Sequence, residues 1–234
     1  MIFVIGLLIL LGLALMPTWW VHRVLARYSD PKDRYRERGS GGELARHLIG
    51  QFDLKGVTVE PTDETGPLAG DHYDPRTKTV RLQPAHYHGY SLAAISVAAH
   101  EVGHAIQHHR REGLFEWRTR LAMGALVAER VGAVLMFSAP LLAGITRIPN
   151  AGLLFVVAAV AAIGSRALVH LITLPVEWDA SFNKALPILA EGNYLYSPDY
   201  PHARRILSAA AYTYLAGSLM SLINVYRWIR ILRP

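Results

Sequence analysis

The sequence predicts a mainly α-helical membrane protein, with about three to four helices crossing the bilayer and a small β-sheet beside one metal-binding helix. Three observations predict it. Long apolar runs recur along the 234 residues, at Ile2–Val21, Leu121–Ala143, Ala151–Leu174 and Ile206–Tyr226. Hydrophobic residues make up 52% against 18% charged, and the mean hydropathy of +0.21 argues against a simple soluble chain. Between these runs, Ser91–Arg110 carries His100-Glu101-x-x-His104, a spacing that places two imidazoles on one helical face.

Taken in order, Ile2–Val21 has no charge, and as a helix it matches the hydrocarbon thickness of about 30 Å. Trp19 and Trp20 sit where an interfacial aromatic belt is expected. A cleaved signal peptide fits less well, because a positive leading region and a small-x-small cleavage site are missing. Arg23, Arg27, Lys32, Arg34, Arg36 and Arg38 follow, placing the N-terminus outside and the next segment in the cytoplasm. Arg38–Gly42 reads as a flexible break, and Glu43–Phe52 as an amphipathic helix with Leu44, His47, Leu48 and Gln51 at helical spacing. Val57–Glu60 and Lys78–Gln83 read as strands separated by the turn signals Gly66-Pro67, Gly70-Asp71 and Asp74-Pro75. The second strand, just before the histidine helix, could be a sheet edge able to bind an extended peptide.

Beyond the histidine helix, Leu121–Ala143 is interrupted by Glu129-Arg130 and Pro140, and pairs with Ala151–Leu174 as a membrane hairpin about the turn Thr146–Asn150. Pro175 punctuates, and VEWDASFNKALPILAEG opens a new helix with acids in its first turn. Asn193–His202 is a polar loop. Ile206–Tyr226 is a weaker apolar helix followed by Arg227, Arg230 and Arg233, which four full spans would place on the wrong side. The resulting divisions are 1–22 (N-terminal transmembrane helix), 23–120 (strand and HExxH helix), 121–174 (transmembrane hairpin), 175–205 (third-ligand helix and loop) and 206–234 (apolar helix and basic tail).

The net charge of +6 raises nucleic acid as a partner, but no basic stripe is interleaved with aromatics. The cations flank apolar runs instead, which points to membrane lipid and away from nucleic acid. Without cysteine, a metal site must be built from histidine and carboxylate. His100 and His104 supply two corners of a tetrahedral Zn²⁺ site, and Glu101 is placed to take a proton from the activated water. Ser91 is the expected N-cap. Gly103, costly inside a helix by about 1 kcal/mol, makes sense if another ligand-bearing element must approach closely. A catalytic site needs a third ligand. Glu177 and Asp179 are the outstanding acids, two apart and so on different faces. The longer Glu177 is the choice; Asp179 would then orient a liganding histidine or cap the helix. His72, His86 and His88 fall in a polar, aromatic loop and are expected to be exposed. With His108 and His109 they are read as non-ligands.

Three blocks together, VAAHEVGHAIQ, GDHYDPRTKTVRLQP and LPVEWDAS, resemble the YugP-type family of neutral zinc metallopeptidases. These are small prokaryotic membrane proteins, similar in plan to the HtpX-like and CaaX prenyl proteases, and the resemblance covers most of the chain. It implies a zincin-like metallopeptidase core with one Zn²⁺ per chain, His100, His104 and Glu177 as ligands, and Glu101 as general base. It also implies a multi-pass location in the cell membrane with the site facing the cytoplasm. The gluzincin pattern has aspartate four residues after the ligand glutamate; Ser181 stands there in this chain, so the surroundings must differ, with Asp179 as the candidate. The implied activity is membrane-bound endopeptidase cleavage of a peptide or protein substrate. His202, Arg204, Arg205 and Tyr214 are candidate oxyanion donors, Tyr214 being favoured by a similar TYxA stretch in the family. Two rivals stand against this. An intramembrane protease is disfavoured by the polar flanks Gln83–Tyr90 and Gln107–Glu116. The other is a non-catalytic membrane scaffold or chaperone-like protein that retains the metal helix.

Overall fold

Ser91 begins the central helix as its sequence demands. Its Oγ accepts from the Ala94 amide, and α4 then runs Leu92–His109 with Arg110 as C-cap. The computed structural model describes residues 16, 19–62, 70–146, 157–158, 169 and 172–212. Before α4 come α1 (19–28), α2 (Gly41–Gln51), β1 (Thr58–Pro61), β2 (His72–Asp74), β3 (Thr79–Leu82) and the single turn α3 (Pro84–Tyr87). After it come α5 (Gly113–Thr146), α6 (172–178), a π-helical turn (Asp179–Ala185), α7 (Leu186–Glu191), a 3₁₀ turn (Ser197–Asp199) and α8 (200–212).

Two compact units are distinguished, and the one drawn from Thr18–Phe115 and Pro175–Thr213 holds the histidine helix. Within it α4 is buried on every side from Leu92 to Gln107. A helix that is apolar all round belongs in a core. Its small residues Ala93, Ala94, Ala98, Ala99, Gly103 and Ala105 keep it slim, so α2, α3, β2, β3, the π turn and α7 all pack on it. Leu44, Leu48, Val80, Leu82, Ile95, Val102, Ile106, Leu189, Ile206 and Leu207 fill the spaces between. Each contributes roughly 1.5–3 kcal/mol when fully buried.

The sheet order is β1-β3-β2. β3 runs parallel to β1 and antiparallel to β2, with Val80 between Val59 and Tyr73. Both expected strands therefore form, but β3 is central. The expected edge at Lys78–Gln83 is corrected, because both sides of its backbone are already paired and no added strand can dock there. The segment Arg38–Gly42 is not a flexible break either. Ser40 closes a capping box with Glu43 on α2. A side chain at Gly41 would lie 2.5 Å from the His86 carbonyl and 2.7 Å from that of Ala94. The glycine there serves close packing. Pro175 does not punctuate: residues 172–174 are already helical.

The expected membrane plan is corrected here. Among the described residues no helix is long and apolar enough to cross a membrane. The longest, α5, carries Glu116, Arg118, Arg120, Glu129 and Arg130 along its length, and burying charges in hydrocarbon is costly. With that finding fall the three to four transmembrane helices, membrane lipid as partner, the membrane-bound activity and the multi-pass location with a cytoplasm-facing site. The runs Ile2–Val21, Ala151–Leu174 and Ile206–Tyr226 lie largely outside the described residues, as does the turn about residues 147–150.

Candidate metal centre

His100 and His104 stack one turn apart on α4, their rings 4.7 Å apart and nearly perpendicular. Against them the chain returns through α6, bringing Glu177 with only 1% of its surface exposed. Glu177 Oε2 lies 3.2 Å from His100 Nε2 and 3.1 Å from His104 Nε2. One ligand atom from each of the three residues lies within 4.8 Å of the others, and all three side chains are buried. Glu101, between the histidines in sequence, is also buried.

Gly103 explains how the carboxylate comes so close. A Cβ at that position would stand 2.9 Å from the Ala180 carbonyl oxygen and 3.4 Å from Ala180 Cα and Lys184 Cβ. The π turn that begins at Asp179 lies directly on this bare patch of α4. π turns are rare and concentrate at functional sites. Here the wide turn sets Asp179 and Lys184 one turn apart, and Lys184 Nζ donates to Asp179 Oδ2 at 2.6 Å.

Both histidines of the cluster are held from behind. His104 Nδ1 meets Gln107 Oε1 at 2.9 Å. The same amide donates from Nε2 to the Val176 carbonyl at 2.9 Å and to Asp179 Oδ2 at 2.8 Å. His100 Nδ1 meets Ser181 Oγ at 3.1 Å, and Ser181 donates to the Leu207 carbonyl of α8 at 3.0 Å. Asp179 thus reaches a ligand histidine through Gln107, and a hydroxyl occupies the place of the gluzincin aspartate. Burial alone would raise the Asp179 carboxyl. Hydrogen bonds from Lys184, Gln107 and Asn183, with the Lys184 charge, outweigh it and hold the group below its ordinary value. It stays ionised and is neutralised by Lys184, which also pairs with Glu112 at 3.0 Å.

Sequence reasoning did not find Gln107 as a site residue. The available signal was its place three residues after His104, on the same helical face. The other candidates lie apart from this cluster in their bonding. His202 Nδ1 and Arg205 both contact Tyr28 Oη, at 3.1 and 3.5 Å, and Arg204 sits over the Phe182 ring at 5.5 Å. Tyr214 lies outside the described residues. His86 is not exposed as expected: it is 8% accessible and bonded through Nδ1 to Asp71 Oδ2 at 2.7 Å. His108 bonds Tyr73 Oη at 2.8 Å. Burial pushes the Tyr73 phenol up to about 12.

The donor set fits zinc. Two imidazole nitrogens and one carboxylate oxygen, buried and convergent, form the three-ligand arrangement of catalytic zinc sites with a fourth position left over. The cluster is consistent with one mononuclear Zn²⁺ per chain and with a gluzincin-like metalloprotease.

Comparison with known proteins points the same way. A family model described as "Putative neutral zinc metallopeptidase" matches residues 2–233. "Putative membrane protease YugP" of Bacillus subtilis (strain 168) is 36% identical over 231 residues, spanning 99% of this chain and 96% of the relative. No solved structure matches the chain significantly.

Proposed function

Because the chain belongs to the family described as "Putative neutral zinc metallopeptidase", we propose that it hydrolyses peptide bonds within protein or peptide substrates, with His100, His104 and Glu177 holding one zinc ion and Glu101 acting as general base. The observation that carries this reading is the convergence of three buried ligand atoms within 4.8 Å, Glu177 arriving from 73 positions beyond His104 in sequence. Zinc in such a donor set supplies Lewis acidity, lowering the pKa of a water and polarising a carbonyl.

The chain's own residues do the rest. Glu101 accepts the proton of the attacking water and delivers it to the leaving amine nitrogen. The protein around it is built to keep the ligands still, since each histidine has a bond behind it at Nδ1 and Gln107 of α4 holds the Val176 carbonyl beside Glu177. Tyr214 is assigned as donor to the developing oxyanion, on the strength of its TYxA context.

Glu101→Gln should retain zinc at the parent stoichiometry and lose at least about 10²-fold in hydrolysis of an unfolded protein substrate. Chelation should abolish hydrolysis by the parent. Undiminished turnover by the Glu101→Gln variant would overturn the base assignment.

A further inference from the structure

We propose that Gln107 and Ser181 are positioning residues which fix the tautomer of the two ligand histidines, Gln107 for His104 and Ser181 for His100, so that both Nε2 lone pairs face the metal. The inference rests on the zinc-site reading above but concerns groups it does not use.

The protons available at Gln107 and Ser181 decide which nitrogen of each histidine is protonated. Gln107 is 1% exposed. Two of its neighbours, the Val176 carbonyl and the Asp179 carboxylate, can only accept. The amide nitrogen must therefore point at them, and both its protons are committed. That leaves Oε1 facing His104 Nδ1 at 2.9 Å, and an amide oxygen can only accept. His104 must carry its proton on Nδ1. Ser181, fully buried, repeats the logic with one proton. Its hydroxyl donates to the Leu207 carbonyl, so towards His100 Nδ1 it accepts, and His100 also carries its proton on Nδ1. With Nδ1 holding its proton, Nε2 is the nitrogen each ring would offer to a bound metal. Both Nε2 atoms point at the same Glu177 oxygen, 3.1–3.2 Å away. Glu177 Oε2 can only accept, so in the absence of metal a proton on Nε2 bridges to it, and a bound cation would take that proton's place.

Gln107 has a second task. The carbonyl it holds belongs to Val176, the residue before the third ligand, so one side chain ties His104 to the Glu177 segment. Lys184 neutralises Asp179 beside it, at 2.6 Å. The groups that finally touch the histidines are thus a neutral amide and a neutral hydroxyl, where a carboxylate behind the histidine is the commoner device.

The test is a long-range ¹H–¹⁵N NMR spectrum of the imidazoles in full-length protein freed of metal with chelator at pH 8, repeated after adding zinc. The expected result is a proton on Nδ1 of both His100 and His104 with and without zinc, and Nε2 as the coordinating atom once zinc is added. Gln107→Leu should release the tautomer of His104 alone and Ser181→Ala that of His100 alone, each weakening zinc about 10- to 100-fold in a chelator competition. Coordination through Nδ1, or an Nδ1 without its proton, at either histidine of the zinc-loaded parent overturns the proposal, and that reading needs no variant to fold. So does Gln107→Leu leaving both the His104 tautomer and the zinc affinity unchanged. Failure of the peptidase reading would appear elsewhere, as a metal-loaded protein with this tautomer pattern and no hydrolysis.

Discussion

Gly103→Ala isolates the close approach on which the metal centre depends. The substitution should help a helix, by about 1 kcal/mol at an exposed interior position. At Gly103 the new methyl group would stand 2.9 Å from the Ala180 carbonyl oxygen, about half an ångström inside ordinary contact. Backbone must give way, since the neighbour is not the flexible end of a side chain. Overpacking of this kind costs roughly 1–3 kcal/mol. The net expectation is a loss of about 1 kcal/mol and a melting temperature lower by about 2–4 °C. The metal should be hit harder. Ala180 lies three residues after Glu177 on the same helical run, so displacing the π turn carries the proposed third ligand with it, while ligand distances tolerate only about 0.2 Å. Zinc affinity should fall at least about tenfold. Gly124→Ala on α5 is the control, because nothing lies within 4 Å of a Cβ there; it should be neutral or stabilising. Thermal melts and chelator competition on the two variants decide the matter. A Gly103→Ala protein that binds zinc like its parent and melts no lower would refute the reasoning.

Three further outcomes are expected. Ser40→Ala removes the N-cap of α2 and breaks its capping box, and should cost about 1 kcal/mol in a urea titration. Lys184→Met leaves the Asp179 and Glu112 carboxylates without their shared cation; it should lower the melting temperature and loosen zinc through Gln107, both read in the same assays. Asp199, which accepts from Arg34 and Tyr35, is raised by burial but lowered further by those bonds and the Arg34 charge, leaving it below its ordinary value. A depressed carboxylate contributes stability that is full above its unfolded value of about 3.9 and is lost as pH falls through the folded value. Urea midpoints from pH 7 down to pH 3 should therefore fall less steeply in Asp199→Asn. That variant should also be less stable by about 2 kcal/mol at neutral pH.

Much of the site was legible because it is written in local spacing. His100 and His104 sit four apart after a serine N-cap, and α4 forms within a residue of the expected bounds. Gly103 signalled an approaching element, and the element that arrives carries Glu177. What was not legible depends on partners distant in sequence. Nothing near Gln107 announces that it will meet Val176 and Asp179, some seventy residues away. β3 could not be placed at the centre of its sheet, because β2 is only His72–Asp74, flanked by turn signals that masked it. Gly41 and Gly42 were read for their freedom when their lack of side chains is what α3 and α4 require. The apolar runs were read as spans from hydropathy, the Trp19-Trp20 pair and the flanking cations, but among the described residues no helix is long and apolar enough to cross a membrane.

Zinc content bears most directly on the whole account. The purified chain, prepared without chelator and analysed by inductively coupled plasma mass spectrometry beside Glu177→Ala, should carry close to one zinc per chain, and the variant should lose most of it while staying folded. A parent without zinc after supplementation, or a Glu177→Ala protein that holds zinc as tightly as the parent, would contradict the assignment of His100, His104 and Glu177 as a metal centre.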